Sequence, residues 1–432
     1  MSRQMKDSGI PWIGQVPEMW TVAPIRSVIK EITTKNILGK ETTALQFRYG
    51  TIVEKANFEA EGDDYVARTI RNYTIIYPGV LVLNGLNLNY DFVTKRVALS
   101  RLKGVITSAY MTIMPIDTHA LLPEFLEYLF KCYDAKMAFH GMGEGVRKIL
   151  NFNELKHQPI IYPSHDEQKQ IVAVLDKKCT EVEGLSSNIQ KQIEALEQYK
   201  RAVITETVTK GLNPSVPMKD SGIPWIGKIP QHWNMLKIKY IAKSNQKSLS
   251  EKTNPDYQIN YIDIGSVSER KGIETYEEIQ FSKAPSRARR IVKSGDCIVS
   301  TVRTYLKAIA FIDAQFDNYV VSTGFSVLTP MKQFLVNKYL FFLLKNHPLI
   351  SAISAYSTGV NYPAISDSVL VNLKMPIPPK NEQQSIANYL DEKCSKIDAI
   401  IQDKQQQLKK LEQYKKATIF EYVTGKKQVP EA

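Results

Sequence analysis

Hydrophobic residues recur every seven positions in two long segments of the chain. The first segment has Leu175, Val182, Ile189, Leu196 and Val203 at this spacing, and the second has Leu390, Ile397 and Leu411. A narrow apolar stripe of this period is typical of a helix that packs against another helix. The pattern therefore predicts two long helices, each of about 40 residues and about 60 Å.

A second apolar register runs beside the first in both segments. Its members are Ile171, Leu185 and Tyr199, followed by Ile386, Ile400 and Tyr414. Because a narrow stripe needs a partner, we expect the two helices to pack on each other in antiparallel orientation. The alternative is that each helix packs on its own neighbouring globular domain.

Outside these helices, apolar and polar positions alternate over short stretches. Alternation rich in β-branched residues predicts strands at Thr74–Leu83, Ala109–Met114, Asp296–Val302 and Tyr319–Leu328. Broader apolar faces predict helices at Pro123–Ala138 and Val336–Ala355. We therefore predict an α+β fold, in which two globular domains with mixed β-sheet cores are separated by two long antiparallel helices that form a coiled coil.

The chain spells one decapeptide twice, MKDSGIPWIG at 5–14 and again at 218–227. The helical segments also align with each other, 166–185 with 381–400 and 196–209 with 411–424. Duplication of a two-part unit predicts a pseudo-two-fold axis within the chain. The predicted segments are a first globular domain at 1–163, a helix at 164–212, a second globular domain at 213–378, and a helix with the C-terminal tail at 379–432.

Positive charge is concentrated in the second half of the sequence. Residues 1–217 hold 26 Lys and Arg against 24 Asp and Glu, whereas residues 218–432 hold 30 against 20. A basic excess of this size suits a polyanion such as nucleic acid, and a solvated basic surface is the alternative. The four cysteines form no CxxC pair, which favours free thiols in a reducing cytosol. The first residues lack a secretory signal, and no apolar run reaches the length of a membrane span.

The motifs of several enzyme classes are missing from the sequence. It has no GxxxxGK[ST] phosphate loop, no (N/D)PP(Y/F) methyltransferase motif, and no HExxH or paired Cys and His set for a metal. The stretch from Glu167 to Lys169 resembles half of a nuclease metal site, but the repeat has Gln384 in place of the lysine. Glu167 also falls in the first turn of a predicted helix, where a carboxylate complements the helix dipole. We therefore expect no catalytic residue and no metal site.

Three motifs, each present twice, carry a family resemblance. They are SGIPWIGQVPEMW at 8–20 with SGIPWIGKIPQHW at 221–233, a Pro-rich strand end that enters a helix through Glu-Gln at 159–176 and 375–391, and LEQYK near each helix end. On these motifs the chain resembles the specificity subunit of a type I restriction–modification system over essentially its whole length.

The resemblance implies that each globular domain is a target recognition domain that reads one half of a split DNA sequence. Because the two globular domains differ in sequence, we expect the target to be asymmetric and bipartite. The resemblance implies that the helices set the spacer between the half-sites and dock two methylation subunits, which carry S-adenosylmethionine. It also implies that restriction subunits, which use ATP and Mg²⁺, join the larger complex, and we expect that complex to act in the cytoplasm. The chain itself would then be non-catalytic and bind no cofactor.

Two other functions stay open on the residues alone. One is a stand-alone nuclease or DNA methyltransferase whose site the motif search does not reveal. The other is a coiled-coil protein scaffold that binds no DNA, for which no duplex would be selected by sequence at physiological salt.

Side chains suited to DNA cluster in loops of both globular domains. Arginine pairs with guanine and asparagine with adenine in the major groove, whereas lysine and arginine also contact phosphates. In the first domain the candidates are Arg71, Asn84, Asn87, Asn89, Arg147 and Lys148. In the second domain they are Arg287, Arg289, Arg290, Arg303, Tyr305, Lys307, Asn361 and Tyr362. A solvated surface role is the alternative for any one of them.

Each decapeptide precedes a globular domain, and we call residues 5–14 and 218–227 the two clasps. Their glycines and proline suit a tight turn, and Trp12 and Trp225 offer large anchors. We expect Trp225 to join the second domain to the first long helix. Trp12 is then expected to make the matching contact near the end of the last helix, which would bring the two termini close together.

Overall fold

The computed structural model describes residues 3–56, 69–90, 92, 95–143, 148–359 and 363–429. The chain divides into two compact units. The first unit combines Met1–Ile189 with Gln406–Ala432, and the second is Gln190–Gln405. Each unit therefore contains a globular part, a piece of the first long helix and a piece of the second.

The helices are named here in chain order. They are α1 (Pro123–Ala135), α2 (Phe152–Leu155), α3 (His165–Lys210), α4 (Asn337–Leu344), α5 (His347–Ala355), α6 (Asp367–Asn372) and α7 (Lys380–Val423). The two long helices predicted from the seven-residue spacing are α3 and α7, with 46 and 44 residues. Gly211 and Gly425 follow them with φ of 77° and 68°, the left-handed conformation in which glycine commonly ends a helix.

Helices α3 and α7 pack together in antiparallel orientation, as expected. In the first unit the Lys415 ammonium lies 2.6 Å from the Glu183 carboxylate. In the second unit Lys200 lies 2.5 Å from Asp398. These exposed ion pairs contribute little stability, and the buried apolar stripe between the helices contributes more.

The first predicted register largely faces inward. Leu175, Val182, Leu390 and Ile397 are buried, and Ile189, Leu196, Val203 and Leu411 are partly buried. In the second register, only the first member in each helix, Ile171 or Ile386, is buried, and the prediction is wrong for the others. Leu185, Tyr199, Ile400 and Tyr414 are each about half exposed, at 54%, 49%, 47% and 51%. A straight helix turns every 3.6 residues, so a stripe with a spacing of seven drifts around it, and Ile193 and Ile401 are buried instead.

The strands of the first unit are short. They are β1 (Met5–Asp7), β2 (Gln15–Pro17), β3 (Thr21–Pro24), β4 (Ile29–Glu31), β5 (Leu45–Arg48), β6 (Thr51–Glu54), β7 (Thr74–Ile76), β8 (Leu81–Leu83), β9 (Val97–Leu99), β10 (Gly104–Ile106), β11 (Met111–Pro115) and β12 (Pro159–Tyr162). Its largest sheet is antiparallel in the order β4-β11-β8-β9. Helix α1 covers this sheet with Phe125, Leu129 and Tyr133.

The second unit repeats this plan with longer additions. Its strands are β13 (Met218–Asp220), β14 (Lys228–Pro230), β15 (Asn234–Lys237), β16 (Ala242–Ser244), β17 (Gln258–Ile262), β18 (Val267–Ser268), β19 (Gly272–Ile273), β20 (Glu277–Gln280), β21 (Ala288–Ile291), β22 (Cys297–Ser300), β23 (Ile309–Phe311), β24 (Val320–Ser322), β25 (Phe325–Pro330) and β26 (Lys374–Ile377). The sheet β16-β25-β22-β23 matches that of the first unit. A second sheet, β20-β17-β24-β21, contains one parallel pair, β17 with β24.

Three predicted elements are interrupted where a turn residue falls. The run Thr74–Leu83 forms β7 and β8, because Gly79 turns the chain between them with φ of 93°. The run Tyr319–Leu328 forms β24 and β25. The predicted helix Val336–Ala355 is split into α4 and α5, since Pro348 stands at the start of α5 and cannot continue the preceding helix.

All four cysteines are buried free thiols, as predicted. Burial raises the pKa of Cys132 to about 12 and that of Cys394 to about 11. In the described part of the chain, no helix is both long and apolar enough to cross a membrane.

Candidate nucleic-acid interface

Two loops of the first unit are held together at the end of the central sheet. The loop that follows β8 and the segment that follows α1 exchange backbone hydrogen bonds. The Leu150 amide donates to the Gly85 carbonyl at 2.9 Å, and the Leu88 amide donates to the Lys148 carbonyl at 3.1 Å. A side chain at Gly85 would overlap the Leu150 carbonyl, so glycine allows this close approach. The sequence places candidates in both loops, and the structure brings them together.

The outer side of this loop pair is polar and aromatic. Asn87 is exposed and takes the left-handed conformation with φ of 53°, and Lys148 is exposed with φ of 32°. Tyr90 is 72% exposed, although sequence reasoning did not select it. An exposed aromatic ring beside asparagines is suited to contact with bases or sugars.

A buried arginine supports the loop from below. Arg96 is only 2% exposed, and its Nη1 donates to the carbonyls of Asn84 and Leu86 at 3.1 and 2.8 Å. Its backbone amide donates to the carboxylate of Asp134 at 2.8 Å. Sequence reasoning missed Arg96 because arginine is expected at the surface.

The second unit joins its equivalent loops in a similar way. After β22, the Arg303 amide donates to the Pro363 carbonyl at 2.8 Å, and the Ile365 amide donates to the Thr301 carbonyl at 2.9 Å. The hydroxyls of Thr304 and Ser357 lie 2.9 Å apart. The loop after β22 and the loop after α5 therefore form one surface.

Arg303 and Lys307 bracket a tight turn on this surface. Both take the left-handed conformation, with φ of 53° and 52°, which is costly for residues with a side chain. Tyr305, between them, is 56% exposed. Strained backbone of this kind is concentrated at binding sites, where it presents a side chain that relaxed geometry would turn away.

Residues 286–290, which have the sequence SRARR, lie beside this turn. The Thr323 amide donates to the Arg287 carbonyl, and the Thr301 hydroxyl donates to the Gly324 carbonyl. Residues 323 and 324 therefore connect the stretch of Arg287 to the loop that follows β22. Arg287 is exposed and pairs with Asp263 at 3.1 Å.

The other two arginines of the stretch are partly buried. The Arg289 guanidinium lies 4.7 Å from the centre of the Phe281 ring. Burial lowers the pKa of Arg290 below its ordinary value. Arg287 is therefore the exposed arginine of the stretch, whereas Arg289 and Arg290 are partly covered by the protein.

The remaining candidates are less informative. Arg71 is exposed, and Asn84 and Asn89 are partly buried. The Asn84 side chain accepts from the Leu86 amide at 3.2 Å and so shapes its own loop. Arg147, Asn361 and Tyr362 lie outside the described residues.

The Glu-Gln motif at the start of each long helix connects that helix to the globular part of the same unit through hydrogen bonds. Glu167 accepts from the indole of Trp20 at 3.2 Å, and Glu382 accepts from the indole of Trp233 at 3.1 Å. Arg3 also pairs with Glu167, at 2.7 Å. Glu167 therefore makes two structural contacts, and these account for a glutamate at this position without a nuclease site.

The glutamine of each motif is buried and joins two segments. Gln168 donates to the Pro163 carbonyl at 2.9 Å and accepts from the Leu122 amide, just before α1, at 2.7 Å. Gln383 donates to Pro378 at 2.9 Å and accepts from Val336, just before α4, at 2.9 Å. A buried amide satisfied in this way sets the position of the neighbouring helix.

The anchoring tryptophans lie six residues beyond the two clasps. Trp20 and Trp233 are 1% and 0% exposed and stand against the glycines that end α7 and α3. Trp12 packs edge-on against Tyr133 of α1, with 4.6 Å between ring centres. Directly after the first clasp, the Gln15 carbonyl accepts from the Lys426 ammonium at 3.2 Å, so this segment meets the residues that follow α7 within the first unit.

The family model described as the type I restriction modification DNA specificity domain matches residues 47–195 and 230–410. The chain belongs to this family. It is a specificity subunit of a type I restriction-modification system, with two target recognition domains.

Similar proteins support this assignment. The specificity subunit of the type I restriction enzyme MjaVIII of Methanocaldococcus jannaschii is 24% identical over 431 residues, which cover 96% of this chain and 94% of that protein. The putative MjaX specificity subunit of the same organism is 23% identical over 434 residues, 96% of each chain. A solved structure from work on complex assembly and conformational transition of the type I R-M system has a TM-score of 0.69. It is 16% identical and covers 95% of this chain and 99% of that one.

Proposed function

We propose that this specificity subunit is a non-catalytic DNA reader, in which each target recognition domain reads one half of an asymmetric, bipartite sequence. The main support is one observation made in both units. Two loops converge at the same end of the central sheet in each domain, and they present different side chains. Asparagine and tyrosine dominate the first surface, whereas arginine and tyrosine dominate the second. Because asparagine suits adenine and arginine suits guanine, the two half-sites should differ in sequence.

We propose that the helices α3 and α7 set the spacer between the half-sites and dock two methylation subunits. A helix of 44 residues is about 66 Å long, which exceeds one DNA turn of about 34–36 Å. The methylation subunits would supply S-adenosylmethionine, and restriction subunits would supply the ATP- and Mg²⁺-dependent step. The complex would act on DNA in the cytoplasm.

Methylome sequencing tests this function directly. The chain is expressed with its methylation subunit in a host that lacks type I methylation. We expect methylated adenines within a single motif that has two unlike halves and a fixed spacer. A single continuous motif, or a palindrome, would contradict the assignment of one half-site to each domain.

An assay of the isolated chain tests the non-catalytic part. The purified protein is incubated with duplex DNA, Mg²⁺ and labelled S-adenosylmethionine. We expect neither cleavage nor label transfer until the methylation subunit is added. Turnover by the chain alone would favour the stand-alone nuclease or methyltransferase.

A further inference from the structure

A buried arginine lies beneath residues 84–90 of the first target recognition domain. This loop follows β8 and is called the reading loop here, because it carries side chains proposed to read DNA. Arg96 ranks among the largest fully buried side chains of the chain, with 2% exposure. A buried guanidinium is costly unless its N–H groups are satisfied, and carbonyl oxygens are the groups it can recruit from a loop. Here one nitrogen, Nη1, holds two of them, from Asn84 and Leu86.

This double contact dictates the orientation of the loop. The carbonyls of residues 84 and 86 point inward, toward the guanidinium of Arg96. The residues that follow them are therefore directed toward the surface. Asn87 follows directly in the left-handed conformation and is exposed. The Asn84 amide also donates to the Arg96 carbonyl at 2.8 Å, so the arginine meets the loop from both its side chain and its backbone.

A carboxylate fixes Arg96 to helix α1. The backbone amide of Arg96 donates to Asp134, which is itself 2% exposed. The Arg96 charge and this hydrogen bond lower the pKa of Asp134, but burial outweighs them and leaves it raised. The loop, the arginine and the helix therefore form one buried polar unit.

We propose that Arg96 is a specificity-determining positioning residue, which shapes the Asn84–Tyr90 loop so that its outer side chains read one half-site. The proposal rests on the function proposed above and adds a residue that contacts no DNA itself. It predicts that a change at Arg96 alters the sequence preference of one half of the target only.

The test uses the full chain with its methylation subunit and three variants. Arg96→Met removes the donors, and Arg96→Lys keeps a charge that can still reach a carbonyl. Arg101→Met is the matched control, because the Arg101 side chain is 65% exposed and pairs with glutamates of α1 at the surface. Methylome sequencing reports the base preference of each half-site separately, with wild type as reference.

We expect Arg96→Met to lose about fivefold or more of its discrimination at positions in one half-site, the size of one weakened base contact. The other half-site and the spacer should be unchanged. Arg96→Lys should fall between wild type and Arg96→Met, and Arg101→Met should match wild type. Equal loss in both half-sites, or no loss in a folded Arg96→Met, would overturn the proposal.

Hydrogen exchange supplies a readout that needs no DNA. In Arg96→Met and Arg96→Lys the amides of Leu86 and Leu88 should exchange faster, while that of Val82 in β8 stays slow. Unchanged exchange in the loop would overturn the proposal. Should neither variant fold, Arg96 is a folding residue and the positioning role is wrong. If wild type itself gives no bipartite motif, the proposed function fails, whereas the exchange result still decides whether Arg96 shapes the loop.

Discussion

The two units of this specificity subunit attach their globular parts to the long helices through the same groups, but they shape their proposed reading loops with different ones. An indole and a glutamate meet at the same place in both, Trp20 with Glu167 and Trp233 with Glu382. The loop after the central strand is supported by the buried Arg96 in the first unit, and by the hydroxyls of Thr301 and Thr304 in the second. The difference separates two tasks: the repeated contacts place a domain on the helices, and the unlike contacts determine what the domain presents.

The indole contacts give the largest expected effect. Trp20→Ala and Trp233→Ala should each lower the free energy of unfolding of their own unit by about 3–5 kcal/mol, because each leaves a large cavity and removes the indole hydrogen bond to the glutamate. Denaturant-dependent hydrogen exchange, which reports each unit separately, measures this. Trp12→Ala, at a partly buried ring, should cost less and leave the target motif unchanged. Losses that differ by more than about 2 kcal/mol between the units would break the equivalence.

The glycines that end the long helices should sharpen the comparison. A Cβ at Gly425 would overlap the Pro17 ring, and one at Gly211 would lie 3.2 Å from the Trp233 ring. Gly425→Ala should therefore cost about 2–4 kcal/mol and Gly211→Ala about 1–2 kcal/mol, since both also force alanine into the left-handed region. Thermal unfolding of the two variants ranks them, and a larger loss for Gly211→Ala would show that the end of α3 is the more tightly packed of the two helix ends.

Arg303 tests the proposed reading surface of the second unit. Arg303→Ala and Arg303→Gly both remove the side chain, and each should weaken binding of the cognate duplex by about 1–3 kcal/mol. Only glycine accepts the left-handed backbone without strain, so Arg303→Gly should be the more stable of the two variants. A salt titration of binding and a thermal melt give the two numbers. Wild-type affinity with an unchanged salt slope would remove Arg303 from the interface.

The smallest effect concerns two thiols at repeated positions, Cys179 and Cys394. Burial raises the pKa of Cys394 to about 11, so its thiol ionises earlier in the unfolded chain, and stability is lost between about pH 9 and pH 11. From pH 8 to pH 10, wild type should lose about 1–2 kcal/mol relative to Cys394→Ala. Burial also raises the pKa of Cys179, but Lys415 opposes it, and we expect the same sign with a smaller size. Urea unfolding at the two pH values would reveal a reversed order.

The sequence allowed the long helices to be predicted well because a periodic stripe over many turns is a strong local signal. The repeated motifs also located both units. The second register failed at Leu185 and Tyr199, since a seven-residue spacing drifts around a straight helix. Short strands were joined across Gly79 because a turn of four residues barely disturbs an alternating pattern.

The two loop surfaces proposed to read DNA were harder to predict than the helices. The loops of Asn87 and Lys148 are distant in sequence, and only the order of strands in the sheet brings them together. Trp20 could not be distinguished from Trp12 as the anchor, because both are large apolar residues in one repeated motif. Arg96 gave no local signal at all, since a buried charge depends on partners that the fold supplies.

The end of α7 completes the core of the first unit: Ile419, Tyr422 and Val423 pack with Trp20 and Phe125. During synthesis, the ribosome must therefore add the whole second unit before the first can close. At about 5–20 residues per second this delay is about 10–40 seconds. Throughout that interval the indole of Trp20 and the apolar face of α3 lack the α7 side chains that cover them in the folded protein. A nascent chain should therefore depend on chaperones in a way that the finished protein does not.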